Sequence, residues 1–174
     1  MARRFKPRGD ALVVTLSDVE VQLLDELPRQ VELMLTQDDV ASADPGVGRA
    51  RDRLFPRAYL DPTEDDASNA WALDVQPELM EGKLAALNDL RASLARAETT
   101  RKGRRVELTP AEVQAWLTGL NDVRLVLGTI LEITDDSDLE QIAVSSSDPE
   151  QSERAALYAW LTWLQGELVE TLLR

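Results

Sequence analysis

The stretch from Leu108 to Ile133 constrains the fold more than any other part of the chain. A short β-type lead-in, Arg104-Arg105-Val106-Glu107-Leu108, runs straight into a complete helix start. Thr109 can cap the first free amides, Pro110 occupies the first helical position where its missing N–H costs nothing, and Glu112 completes a capping box. Wound at 100° per residue, Val113, Trp116, Leu117, Leu120, Val123, Leu127, Ile130 and Leu131 fall on one side, with Val126 at its margin. Such a wide apolar arc suits a central helix flanked by others rather than one resting on a surface.

A second segment runs parallel to this one. Val14-Thr15-Leu16-Ser17-Asp18-Val19-Glu20-Val21-Gln22 repeats the order of Val106-Glu107-Leu108-Thr109-Pro110-Ala111-Glu112-Val113-Gln114, and both read strand, cap, helix. A degenerate internal repeat and two independent uses of one cap both account for this. Because an isolated strand is unstable, Val13 to Leu16 is expected to pair with Arg105 to Leu108 in a two-stranded ribbon. The helix after Ser17 continues through Leu27 to Leu35, with Pro28 expected to kink or split it. Asn69 to Leu73 reads as a short helical piece containing Trp71. Pro77 then opens an amphipathic helix carrying Met80, Leu84, Leu87, Leu90 and Leu94 at steps of three and four. A last helix, from about Glu150 to Leu173, places Leu157, Trp160, Leu161, Leu164, Leu168 and Leu172 on one side. Residues 37–48 and 135–149 are polar, lack periodicity and read as mobile loops. The expected architecture is mainly α: a single domain over residues 1–174, a compact bundle of four to five helices with a small two-stranded β ribbon.

Two absences narrow the chemistry further. The 174 residues include neither cysteine nor histidine, which removes disulfides, thiolate nucleophiles, the usual general base near neutrality and the commonest zinc ligands. No glycine-rich phosphate loop suggests a nucleotide cofactor. The expectation is a non-enzymatic protein with no catalytic residue, no cofactor and no metal. The 32 acidic residues against 19 basic ones, a formal charge of -13, make direct DNA binding an unfavourable reading. No apolar run approaches the roughly 18 residues of a membrane span, and the few apolar residues after the basic N-terminus are too short for a secretory core. A cytoplasmic protein is expected. The acidic clusters 61–66 and 135–140 lack calcium-loop spacing and read as solvated connectors.

Three groups of residues stand out as candidates. Arg124 falls inside the apolar arc beside Leu117, Leu120, Leu127 and Leu131, and a buried guanidinium needs a partner. An ion pair with an acid from another helix is the structural expectation; a ligand- or partner-binding arginine is the functional one. Asn121 and Asp122 are its polar companions within a leucine-rich helix. Arg101, Lys102, Arg104 and Arg105, joined across the ribbon by Arg3, Arg4, Lys6 and Arg8, would gather positive charge on one edge. That edge reads either as protection against sheet aggregation or as a dock for an acidic surface. Leu125 on the polar side of the central helix and Trp163 off the main stripe of the last one mark either internal packing or a contact surface, including a possible homodimer.

The pattern Val106-Glu107-Leu108-Thr109, Ala115-Trp116-Leu117, Asn121-Asp122-Val123-Arg124-Leu125, Leu127-Gly128 and Leu131-Glu132-Ile133, followed by Tyr158-Ala159-Trp160-Leu161-Thr162-Trp163-Leu164-Gln165, resembles the actinobacterial AosR-type proteins. This family was long described as a domain of unknown function and is often encoded beside the Clp protease adaptor. The resemblance implies an oxidative-stress transcription regulator acting through contact with a sigma factor or RNA polymerase. It also implies redox sensing through an intramolecular disulfide, which a chain without cysteine cannot form. The family's gene neighbourhood suggests a second expectation, an interaction protein in Clp-linked proteolysis.

Overall fold

Both helix starts close as their sequences require. In the computed structural model, which describes residues 4–37, 44–55, 61–134, 138 and 148–174, the Ser17 backbone N–H donates to Glu20 Oε2 at 2.7 Å while Glu20 N–H donates to Ser17 Oγ at 3.3 Å. The second box is alike: Thr109 N–H donates to Glu112 Oε2 at 2.9 Å, and Glu112 N–H to Thr109 Oγ1 at 3.3 Å. Burial pushes the Glu112 carboxyl up, but the Thr109 amide and hydroxyl and the Arg96 guanidinium outweigh it and hold the group below its ordinary value. Thr109→Ala is therefore expected to lower the unfolding free energy by about 1 kcal/mol, measured by urea denaturation at neutral pH. The part carried by Glu112 is fully present above its ordinary value of 4.5 and is lost as pH falls through the lowered one.

The elements run β1 (Phe5–Arg8), β2 (Ala11–Leu16), α1 (Asp18–Thr36), α2 (Pro45–Leu54), a 3-10 turn (Pro62–Glu64), α3 (Asp65–Ala95), β3 (Glu98–Thr100), β4 (Gly103–Leu108), α4 (Pro110–Ile130) and α5 (Pro149–Leu172). The central pairing is the expected one, with β2 antiparallel to β4 from Leu12↔Leu108 to Leu16↔Arg104. The ribbon, however, is the middle of a four-stranded antiparallel sheet in the order β1-β2-β4-β3. Each central strand brings its own hairpin partner, and these outer strands, Phe-Lys-Pro-Arg and Glu-Thr-Thr, are too short and polar to show alternation.

The sheet also decides between a repeat and a coincidence. The pairs Lys6↔Val13, Pro7↔Leu12 and Arg8↔Ala11 of the first hairpin correspond, at one constant sequence offset, to Glu98↔Arg105, Thr99↔Arg104 and Thr100↔Gly103 of the second. The same offset relates Ser17 to Thr109 and Glu20 to Glu112. Val14 lies directly opposite Val106, its own counterpart, as a twofold arrangement of two ββα units requires. Gly103 stands where β4 crosses close to β2: its φ is +125°, and a Cβ there would lie 2.4 Å from the Leu16 carbonyl oxygen.

One continuous core joins the inner sheet face to the helices through Phe5, Val14, Leu16, Val106 and Leu108. α4 packs against α1, α2, α3 and α5 and against the sheet. Trp116 is fully enclosed; its Nε1–H donates to Ser93 Oγ at 2.9 Å, and Ser93 in turn donates to the Leu90 carbonyl at 2.6 Å. The Phe5 ring meets Trp116 edge-on at 6.1 Å.

Other expectations need correction. Pro28 does not split α1, which runs unbroken from Asp18 to Thr36. Pro77 lies inside α3, so the piece at Asn69–Leu73 and the helix after Pro77 are one. The proline removes a hydrogen bond to the Leu73 carbonyl, but both residues are exposed there, where water can solvate the freed oxygen. The expected loop over 37–48 gives way to helix at Pro45, because Asp44 caps Gly46 N–H at 2.7 Å and Pro45 opens the first turn. Residues 38–43, like 135–137 and 139–147 of the second expected loop, lie outside the described residues. Asp61 to Asp66 form the start of the 3-10 turn and of α3 rather than a free connector.

Candidate functional site

The polar run in the middle of α4 sends its three side chains to three different environments. Asp122 points inward and is 1% exposed. Its Oδ1 accepts from Lys83 Nζ of α3 at 2.8 Å, while Oδ2 has no hydrogen-bond partner among the described residues. Burial raises the Asp122 carboxyl above its ordinary value, against the hydrogen bond and charge of Lys83, which pull it down. The sequence signal for Lys83 was present: it sits four residues before Leu87 on the stripe that continues to Leu90 and Leu94.

Arg124 turns towards α5. Its Nε–H donates to Thr162 Oγ1 at 3.0 Å, its Nη1 donates to Gln165 Oε1, and its guanidinium lies 5.6 Å from the centre of the Tyr158 ring. Gln165 Nε2 donates onward to the Leu117 carbonyl at 3.4 Å. The expected ion pair is therefore replaced by neutral partners. The α5 face opposite Arg124 presents Tyr158, Thr162 and Gln165 at helical spacing, and the neighbouring acid on α4, Asp122, faces α3 instead. Gly128 makes the close approach possible: a Cβ there would lie 3.1 Å from Tyr158 Cε2.

Asn121 is exposed and Leu125 half-buried. Together with Arg124, Thr129, Tyr158 and Arg53 of α2 they line a polar pocket of about 190 Å³. Arg53 belongs to a helix the sequence pattern did not reveal, so its arrival at this pocket was not foreseeable. A second cavity, about 280 Å³ and apolar, opens between α1, α2 and α4, with Val31 and its counterpart Val123 in its wall.

The basic residues do not gather on one edge. Arg8 and Arg105 bracket Glu107, with Nη–Oε2 distances of 2.6 and 3.2 Å, and Arg105 also reaches Glu98 at 3.2 Å. Arg4 pairs with Glu20 and lies 5.3 Å from the centre of the Trp163 ring. Arg104 donates to Thr99 Oγ1 and the Ala97 carbonyl. Arg101 and Lys102 stand exposed at the β3–β4 turn. Arg3 lies outside the described residues. Trp163 is 45% exposed, with Val169 and Leu172 exposed further along α5. Among the described residues no group of three or more acidic side chains is placed to hold a metal ion, and no helix is long and apolar enough to cross a membrane.

The model of a family described as Domain of unknown function (DUF2017) matches residues 2–172. Oxidative stress regulator AosR of Mycobacterium tuberculosis (strain ATCC 25618 / H37Rv) is 32% identical over 139 residues, covering 70% of this chain and 56% of that protein. The protein of the same name from Mycobacterium bovis gives the same values, and AosR of Mycobacterium leprae is 33% identical over 133 residues, covering 70% and 57%. The chain thus spans somewhat more than half the length of the curated relatives it matches. No solved structure matches it.

Proposed function

The chain belongs to the family described as Domain of unknown function (DUF2017), and from that membership we propose a stress regulator that works by protein contact. The partner is a component of the transcription machinery, a sigma factor or RNA polymerase, met in the cytoplasm, and the protein carries out no chemistry of its own. The observation that carries this reading is the likeness to proteins named oxidative stress regulator. The absence of cysteine and histidine agrees with a role in binding; in this reading thiol-based sensing belongs to other members of the family or is carried by a partner. The contact surface in this reading is the outer side of α5 around Trp163, where Arg4 lies against the indole.

Capture of native partners on the intact protein tests the proposal. Recovery of a sigma factor or polymerase subunits is expected; recovery of Clp adaptor or protease subunits instead would replace it with a role in proteolysis. Trp163→Ala is expected to weaken the contact at least about tenfold, the effect of losing an aromatic anchor worth about 2 kcal/mol. Circular dichroism should stay unchanged, because the indole is half-exposed. Equal capture by the variant would exclude this face.

A further inference from the structure

We propose that the pocket between α2, α4 and α5 binds a small oxyanion, a carboxylate or phosphate carried on a free low-molecular-weight ligand. Two arginines, Arg53 and Arg124, line it together with Asn121 and Tyr158. No carboxylate lines it. Arg124 is held by Thr162 and Gln165, which fix its orientation without neutralising its charge, and its Nη2 has no protein partner among the described residues. Arg53 likewise has none, and Glu132, just beyond the end of α4, is turned to Arg49 at 3.2 Å.

This arrangement is unusual for the molecule. In a chain of net charge -13, the partly buried arginines Arg4 and Arg91 meet acids, Arg4 with Glu20 and Arg91 with Asp25 and Glu32, whereas Arg104, among the described residues, takes only Thr99 and the Ala97 carbonyl. The twofold relation makes the contrast direct: the counterpart of Arg124 in the first ββα unit is Glu32, already satisfied by Arg91. One guanidinium pre-oriented by Thr162 and Gln165, with a second arginine in the same lining and no acid there, suits carboxylate or phosphate oxygens. At about 190 Å³ the pocket is smaller than the roughly 300–1,000 Å³ of drug-sized sites, so it fits one anionic group with a short body.

Titration of the intact ¹⁵N-labelled protein with sodium phosphate, and separately with sodium acetate, at constant ionic strength tests the proposal. Saturable shifts are expected at the Arg124 Nε–H and at the backbone amides of Leu125 to Thr129 with at least one of the two anions, and which one saturates identifies the oxyanion. Arg53→Gln, at an exposed position that does not support the fold, should weaken the response at least about tenfold, the loss of one charge-assisted contact. Arg105→Gln on the sheet should leave it intact. Linear, unsaturating shifts with both anions, or equal affinity in Arg53→Gln, would overturn the assignment.

Discussion

Trp116→Ala is expected to lower the unfolding free energy by about 3–5 kcal/mol, the cost of emptying a large aromatic site in a packed core. The indole is wholly enclosed where the sheet meets α3 and α4. Removing it deprives Phe5 of its edge-on neighbour and Ser93 Oγ of a donor. A small domain has about 5–15 kcal/mol in total, so the variant should unfold at much lower urea concentration, followed by far-ultraviolet circular dichroism. Trp116→Phe separates the two contributions. It keeps most of the ring volume and should cost less, while Ser93 retains its own bond to the Leu90 carbonyl.

The second large effect concerns Lys83 and Asp122. Lys83→Met leaves a carboxylate buried without its cation, which is expected to cost about 3–5 kcal/mol at neutral pH. The double variant Lys83→Met/Asp122→Leu should recover most of that loss, because a buried ion pair replaced by apolar groups is often neutral or better. The pH dependence has a definite sign. The folded Asp122 carboxyl already lies above its ordinary value of 3.8 through burial, and Lys83 opposes that rise. Without Lys83 it moves higher. A raised carboxyl binds more protons folded than unfolded, so its penalty grows as pH rises from the ordinary value to the raised one. The difference between wild type and Lys83→Met, measured by chemical denaturation, should therefore shrink as pH is lowered towards 3.8. A difference that is constant with pH would exclude a protonation origin.

Strong local signals made the helical part of this fold legible. The Ser17 and Thr109 boxes and the leucine stripes of α3, α4 and α5 are encoded within a few residues, and each forms where its pattern lies. The pairing of β2 with β4 followed from the same logic. The outer strands escaped because Phe5–Arg8 and Glu98–Thr100 owe their conformation to a neighbour's free edge rather than to their own alternation. α2 escaped because its glycines and arginines give little helical signal; Ala50 and Leu54 are buried, and Val47 packs against the core beside them.

The candidate site was legible to a similar depth. Polar residues inside the α4 arc marked Asn121, Asp122 and Arg124 as unusual, and the structure gives each a distinct place. Their partners depended on which faces of α3 and α5 oppose α4, a tertiary fact no single helix encodes. Arg124 therefore meets an amide and a hydroxyl where an acid was expected, and Asp122 takes the ion pair with Lys83. Sheet pairing likewise set the basic residues: Glu107 lies between Arg8 and Arg105 and divides the positive charge.

Native-state amide hydrogen exchange tests most directly whether α4 is the enclosed helix around which the protein is built. Amides from Trp116 to Leu127 should exchange only through global unfolding, with protection equal to the full unfolding free energy. The exposed first turns of α3, near Trp71 and Leu73, should exchange far sooner. If the α4 amides exchanged as fast as those of Trp71 and Leu73, the helix would not be the core of this molecule.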